Sequence, residues 1–373
     1  MMNNERACAY VDLNVIEYNY SSIKALLPDK VKILCVVKAD AYGHGSIEIA
    51  KKLESLGANY LGVATINEGL ELRNNGISIP ILVMSGILTE YDIDYVCKYM
   101  LTPVVYDIGT LRKLKEESLD HDEKLKIHIK LDTGMGRLGF TPDELPAVIK
   151  EIKEPCRIDV EGFMSHFASS ENRDEYGFKQ VATFKKALQV LEQSGIKPEL
   201  VHMGNSGAIT QYPEAHFDMV RVGIALYGSY PSKDLSKILH IIPAMKLSSK
   251  IAIIKEFPPG SSLSYGRTFT TERKTRIAYV PIGYADGYPR SLSNKGSVLI
   301  NDKRCNVAGR ICMDWLLVDI TDKGNIAVGE EVILLGKGIN DSITADEIAE
   351  HTGTIPYEIL CKISKRVPRI YVQ

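Results

Sequence analysis

Apolar residues in this chain recur in short unbroken runs, and between the runs they recur every three or four positions. The runs at 32–38, 60–64, 80–84, 103–106, 126–132, 158–166, 199–203 and 219–224 predict strands buried on both faces. The stretches near 14–27, 46–56, 66–75, 89–98, 107–117, 142–153 and 173–194, with a short one after Ser206, predict helices. Ser46 with Glu48 close behind, and Asp107 before 108–117, read as helix starts. Strand then helix, repeated through residues 9–230, predicts an α/β fold of the (β/α)8 TIM-barrel type. A doubly wound sheet would want a Gly-x-Gly-x-x-Gly turn after its first strand, and this first strand lacks one.

The pattern changes after Tyr230. Strand-like runs at 245–254, 276–284, 297–301, 304–308, 315–320 and 330–336 follow, with turn chemistry at Pro258-Pro259-Gly260 and Asn301-Asp302. The clear helix in this part is Thr344 to His351. The expectation is a barrel over 9–240 and a β-rich domain over 241–373 together with residues 1–8.

Composition narrows the function. Among 373 residues, 45 Lys+Arg against 47 Asp+Glu leave a net charge of -2, which speaks against a nucleic-acid or membrane-surface partner. Residues 1–10 hold no apolar core of a signal peptide, and no apolar run approaches a membrane span. The 7 cysteines are scattered and form no Cys-x-x-Cys pair, so reduced thiols in a cytoplasmic protein are expected, without a disulfide framework or a metal site.

The chemistry gathers where barrels place it, at the C-terminal ends of strands. Lys38 ends the first run and leads into Ala39-Asp40-Ala41-Tyr42-Gly43-His44-Gly45. An ammonium at the edge of a core strand costs desolvation, so it needs a partner, or is held neutral, or is consumed as an imine. The fifth strand, from His128, runs into Asp132-Thr133-Gly134-Met135-Gly136-Arg137-Leu138-Gly139; His166 ends the sixth; His202-Met203-Gly204-Asn205-Ser206-Gly207 follows the seventh; Arg221-Val222-Gly223-Ile224 lies on and after the eighth. Singly, each has an ordinary structural explanation. Together, on one rim, they point to a site.

The last two loops suggest phosphate, because Asn205-Ser206-Gly207 offers a hydroxyl and backbone N–H groups while Gly223 permits close backbone approach. No Walker-type loop is present. Phosphate beside a strand-end lysine suggests pyridoxal 5'-phosphate held by Lys38. Arg221 is then either salt-bridged to an acidic neighbour or set against the pyridine nitrogen. It can only donate a hydrogen bond there, which leaves the ring neutral and a weaker electron sink. Later in the chain, Ser264-Tyr265-Gly266-Arg267, Pro281 to Arg290 and Gly309-Arg310-Ile311-Cys312-Met313-Asp314-Trp315 are polar loops rich in glycine and tyrosine. A catalytic tyrosine among them needs help to lose its proton near neutral pH.

These segments resemble the alanine racemases, from Tyr10 to Arg369: Val37 to Gly45, Asp132 to Gly139, Asn205-Ser206, Arg221 to Gly228, Ser264 to Arg267, Cys312-Met313-Asp314 and Pro356-Tyr357-Glu358. The resemblance implies interconversion of L-alanine and D-alanine by two bases on opposite faces of one carbon, supplying D-alanine for peptidoglycan. Lys38 would hold the cofactor and act on one face. Tyr265 would act on the other, from the second domain of a homodimer partner. Tyr42, Asn205, Ser206, Gly223, Ile224 and Tyr357 would bind the cofactor around its phosphate, with Arg221 at the ring nitrogen and His166 beside the ring. Arg137, with the Met313 N–H of the partner chain, would take the substrate carboxylate. Lys130 matches a position that is carbamylated in many members. Tyr284, Arg290, Arg310 and Asp314 would line the route by which substrate enters. Asp40 and Trp315 depart from the common pattern, outside the catalytic pair.

Two other readings fit less well. An amino-acid decarboxylase on the same plan would set a carboxylate against the ring nitrogen. A non-catalytic pyridoxal-phosphate carrier would be barrel only. A serine or broad-specificity racemase stays open on the same residues, since a pocket rejects one added hydroxyl only weakly.

Overall fold

The computed structural model describes residues 6–89, 91–119, 124–231 and 233–373. They fall into two units: Glu17–Ala41 with Ser46–Ile241, and the residues up to Ile16 with Tyr42–Gly45 and Ile242–Gln373.

In the first of these, parallel strands follow one another around a barrel: Lys32–Val36, Tyr60–Val63, Ile81–Val83, Thr102–Val105, Leu125–Lys130, Ile158–Met164, Leu200–His202 and Met219–Val222. The last pairs back with the first, Lys32 opposite Met219 through Cys35 opposite Val222. The seventh and eighth meet through an isolated bridge, Asn205 to Arg221, so the barrel nearly closes. Interior packing is tight: a Cβ on Gly62 would meet Leu34 Cδ2 at 2.6 Å. Outside, Phe163 of the sixth strand stacks on Phe184 of the long helix Glu175–Gln193, ring centroids 4.9 Å apart.

Helix starts follow elementary capping. Asp107 accepts from Thr110 N–H at 2.8 Å, as the sequence predicts. At the helix Ser46–Ser55 the expectation needs correcting. Ser46 is already helical, and its N–H donates to Asp40 Oδ1 at 2.9 Å, so the cap comes from the loop.

The first strand also ends earlier than the apolar run suggests. Its ladder stops at Val36, and Ala39, Asp40, Ala41 and Tyr42 take φ of 52°, 53°, 52° and 52°. Four successive side-chain-bearing residues in the left-handed region cost about 1–2 kcal/mol each. Lys38 thus stands between a strand and a strained left-handed turn.

The second unit is built on an antiparallel sheet in the order Ile253–Phe257, Thr275–Val280, Leu316–Asp319, Lys303–Val307, Ser297–Ile300, Glu331–Lys337 and Met245–Lys250, extended by Ala7–Asp12 and Arg369–Val372. Ala7–Asp12 pairs antiparallel with Met245–Lys250 and parallel with Arg369–Val372, a joining of distant segments that no local pattern announces. Leu263, Ile277, Ala308 and Leu317 form a small core under Phe257, Phe269 and Tyr279. Among the described residues, no helix is long and apolar enough to cross a membrane.

Candidate active site

The barrel unit gathers Lys38, Lys130, Arg137, His166, Asn205, Ser206, Arg221, Gly223 and Ile224 at the C-terminal ends of its strands or in the loops just beyond. Arg221 organises them. It is 3% exposed. Its Nη1 donates to His202 Nδ1 at 2.8 Å and to the His202 carbonyl at 3.2 Å. Its Nη2 donates to the Ser165 carbonyl at 2.6 Å, the Met203 carbonyl at 3.0 Å and His166 Nδ1 at 3.1 Å. Among the described residues no carboxylate pairs with it, so the salt-bridge alternative drops away. Nε–H is the donor left without a partner among the described residues. Burial, then Arg137, lower the guanidinium's pKa to about 9, which still leaves it charged at neutral pH. Burial and the same guanidinium push His166 and His202 well below their ordinary value, so both imidazoles are neutral.

Lys130 is buried at the end of the fifth strand. Burial and the cations Arg221, Arg137 and Lys38 lower its pKa to about 8. Beyond it Asp132 shapes the glycine-rich loop: Oδ1 accepts from Gly134 and Met135 N–H at 2.8 Å each, and Oδ2 from Arg137 N–H at 3.2 Å. Gly139 has φ of +139°, and a Cβ there would lie 2.5 Å from Asp132 N, so this position is closed to side chains. The loop presents Arg137 to solvent. After the seventh strand, Asn205 Oδ1 accepts from Ala208 N–H at 3.1 Å, and Ser206 Oγ accepts from Gly223 N–H at 3.0 Å, tying the last two barrel loops together.

Three features fit an anionic cofactor with a ring nitrogen: cations at one barrel mouth, a hydroxyl between the last loops, and a donor-only arginine with one N–H to spare.

Within the other unit, Tyr42 and Tyr357 face each other, ring centroids 5.8 Å apart and tilted 53°. Tyr265 sits in a hairpin between Ser262–Leu263 and Phe269–Thr270 and is 69% exposed. Ser264, Gly266 and Arg267 beside it all have positive φ. Arg310 packs under the hairpin, its Nη1 2.9 Å from where a Gly266 Cβ would be. Tyr284 N–H donates to the Cys312 carbonyl at 3.1 Å and Ala285 N–H to the Met313 carbonyl at 3.0 Å. Asp314 Oδ1 accepts from Arg366 Nη2 at 2.8 Å. Three loops are thus held as one surface carrying exposed Tyr265, Tyr284, Met313 and Trp315, with Arg290 exposed in the same stretch as Tyr284.

Sequence reasoning named His128 and His202 only by their place on strands, without a role, and passed over Glu161 inside the barrel. Their signal is the alternation Lys126, His128, Lys130 on one strand, where an inward face is ordinarily apolar.

A (β/α)8 barrel with a strand-end lysine and a buried, carboxylate-free arginine, joined to an antiparallel β unit, defines a narrow class of barrel proteins. Residues 11–231 match the model of the alanine racemase N-terminal domain, and residues 244–371 that of the alanine racemase C-terminal domain. Alanine racemase 2 of Caldanaerobacter subterraneus is 44% identical over 373 residues, spanning 97% of this chain and 94% of that protein. The solved alanine racemase of Clostridium difficile 630 aligns with a TM-score of 0.93 at 42% identity, over 99% of this chain and 96% of its own. That of Bacillus anthracis with bound L-Ala-P aligns at 0.93 with 36% identity, over 100% of this chain and 96% of its own. The chain belongs to the alanine racemase family.

Proposed function

We propose that this chain interconverts L-alanine and D-alanine with pyridoxal 5'-phosphate, as a cytoplasmic homodimer supplying D-alanine for peptidoglycan. The observation that carries the reading is Arg221: all its N–H groups but one are spent on His202, His166 and carbonyls, and the remaining donor suits a ring nitrogen. When bound, the cofactor supplies an electron-withdrawing ring that acidifies the substrate Cα–H. Lys38 would hold the cofactor and would move a proton at Nζ on one face of the substrate Cα. Tyr265 of a second copy carries it at the phenol oxygen on the other face. Groups on both faces are what inversion requires.

Arg221 donates to the ring nitrogen without giving up its proton. Arg221 would thereby limit how far a bound ring withdraws electrons, which would favour proton return over loss of the carboxylate. His166, neutral and fixed by Arg221, is placed beside the ring. Asn205, Ser206, Gly223, Ile224, Tyr42 and Tyr357 bind the phosphate end. Arg137, with the Met313 N–H of a second copy, would hold the substrate carboxylate, while Tyr284, Arg290, Arg310 and Asp314 would line the approach. The exposed surface of Tyr265, Tyr284, Met313 and Trp315 supports pairing with a second copy.

Lys130 is suited to carbamylation. With a pKa of about 8 a fraction of it is a neutral amine at neutral pH. That amine can add to carbon dioxide, forming an N–C bond and releasing a proton to solvent. The resulting anion would steady Arg137.

The test is the absorption spectrum of the purified protein, then borohydride reduction and peptide mapping. Cofactor fixed to Lys38, in a protein that converts L-alanine to D-alanine, is the expected result. Attachment at another residue would overturn the reading.

A further inference from the structure

Behind Arg221 a line of buried polar side chains runs through the barrel interior. His202 Nε2 lies 2.8 Å from His128 Nδ1, and His128 Nε2 lies 3.2 Å from Glu161 Oε2. Glu161 also accepts from Tyr60 OH at 2.6 Å and from Lys126 Nζ at 2.7 Å. His128 and His202 are fully buried, and Glu161 is 7% exposed. The sequence makes room for this line. A Cβ on Gly162 would fall 2.4 Å from the His128 ring, so the residue after Glu161 has to be glycine while His128 stays where it is.

The ends of the line fix the protons between them. A guanidinium only donates, so His202 Nδ1 is bare and its hydrogen sits on Nε2. That N–H faces His128 Nδ1, which must accept. The His128 hydrogen is therefore on Nε2 and points at Glu161, whose carboxylate only accepts. Any other placement sets two hydrogens, or two lone pairs, against each other. Burial pushes the Glu161 carboxyl up, but hydrogen bonds from His128, Lys126 and Tyr60 overcome it and hold the group at about 2. A buried cation and a buried anion thus face each other through two neutral imidazoles.

We propose that Glu161 is a positioning residue for Arg221, acting through His128 and His202 to keep the guanidinium cationic and its Nε–H aimed at the ligand. The inference rests on the reading above in one respect, that the ligand of Nε–H is the cofactor's ring nitrogen. The proton order itself requires no cofactor. A network that served only to satisfy buried groups would be indifferent to the charge at its far end. A positioning network is not.

Two measurements test it. In full-length protein with 15N-labelled histidine, without added cofactor, His128 and His202 are expected as neutral Nε2–H tautomers at neutral pH. Either one found cationic or as Nδ1–H overturns the proposal. Then Glu161→Gln and Tyr60→Phe are compared as holoproteins reconstituted with 15N-labelled pyridoxal phosphate. Glu161→Gln removes the charge and keeps an acceptor; Tyr60→Phe removes a neighbouring bond to Glu161 and leaves the line intact. Glu161→Gln is expected to move the cofactor ring-nitrogen resonance and lower kcat about tenfold with KM within about twofold, the size of one charge-assisted hydrogen bond. Tyr60→Phe is expected to leave the resonance in place. Equal effects from the two variants would make the network structural only. Borohydride mapping away from Lys38 would sink the functional reading without touching the tautomer result, so the two failures are separable.

Discussion

Arg221 Nη2 and His166 Nδ1 lie 3.1 Å apart, and the direction of that hydrogen bond runs from arginine to histidine. The imidazole therefore keeps its hydrogen on Nε2, and its protonation is set by a neighbour before any ligand binds. Most of what the barrel mouth can do follows from this one guanidinium.

Removing it is expected to be costly for the fold itself. Arg221→Leu leaves the carbonyls of Ser165 and Met203 without the guanidinium as donor, while the His202 carbonyl keeps the Ser165 N–H at 3.2 Å. Each stranded buried acceptor costs about 1–3 kcal/mol, so a loss of at least about 2 kcal/mol is expected in urea denaturation. Arg221→Lys, with fewer donors, recovers only part. A leucine variant with an unchanged midpoint would contradict this account.

Tyr265 should show the opposite separation. Its side chain is 69% exposed and takes no part in the core. Tyr265→Phe is expected to leave stability within about 0.5 kcal/mol and the bound cofactor's absorbance intact. Turnover should fall at least about a hundredfold, as for loss of a general acid–base group. The check is a racemisation assay beside a thermal melt; retained turnover would remove Tyr265 from the reaction.

The left-handed turn after Lys38 carries measurable strain. Ala39 is exposed and has φ of 52°. Glycine reaches that conformation freely, so Ala39→Gly is expected to stabilise the protein by up to about 1 kcal/mol. Ala39→Val should destabilise it, since β-branched residues fit the region worst. Chemical denaturation of the pair decides the matter, and a destabilising glycine would show that the turn is not strained at this position.

Acid stability should depend on Glu161. Its folded pKa of about 2 lies below the ordinary 4.5. A carboxylate depressed on folding contributes stability in full above its unfolded value, and that contribution drains away as pH falls towards the folded value. The stability difference between the native chain and Glu161→Gln is therefore expected to be constant near neutrality and to shrink below about pH 4.5. Urea midpoints measured across that window check it; a gap that widens on acidification has the wrong sign.

Substrate choice is expected to depend on Tyr357, which is packed against Tyr42 with centroids 5.8 Å apart. If its ring narrows the space beside the substrate methyl group, alanine should be preferred to serine by at least about tenfold in kcat/KM. Equal specificity for L-alanine and L-serine would favour the broad-specificity racemase instead.

The barrel was legible because its strands are buried on both faces and read as unbroken apolar runs, such as Ile33 to Val37. The rim was legible because glycine-punctuated loops around Asp132 and Asn205 are visibly unlike helix or strand. The backbone reversal at Ala39 to Tyr42 was not, since alanine, aspartate and tyrosine carry no signal for positive φ. Nor was the strand Ala7–Asp12, whose partners lie at 245–250 and 369–372. The line from Arg221 to Glu161 draws one residue from each of four strands, and single-residue reasoning treats each histidine in it as ordinary.

The pairing of Ala7–Asp12 bears on how the chain is made. That strand leaves the ribosome before both its partners: one neighbour lies beyond residues 13–244 and the other at Arg369–Val372. Throughout synthesis of the barrel its edges stay unpaired, and unpaired edges invite association with other chains. Translation speed and chaperone supply thus bear on yield alongside the stability of the finished sheet.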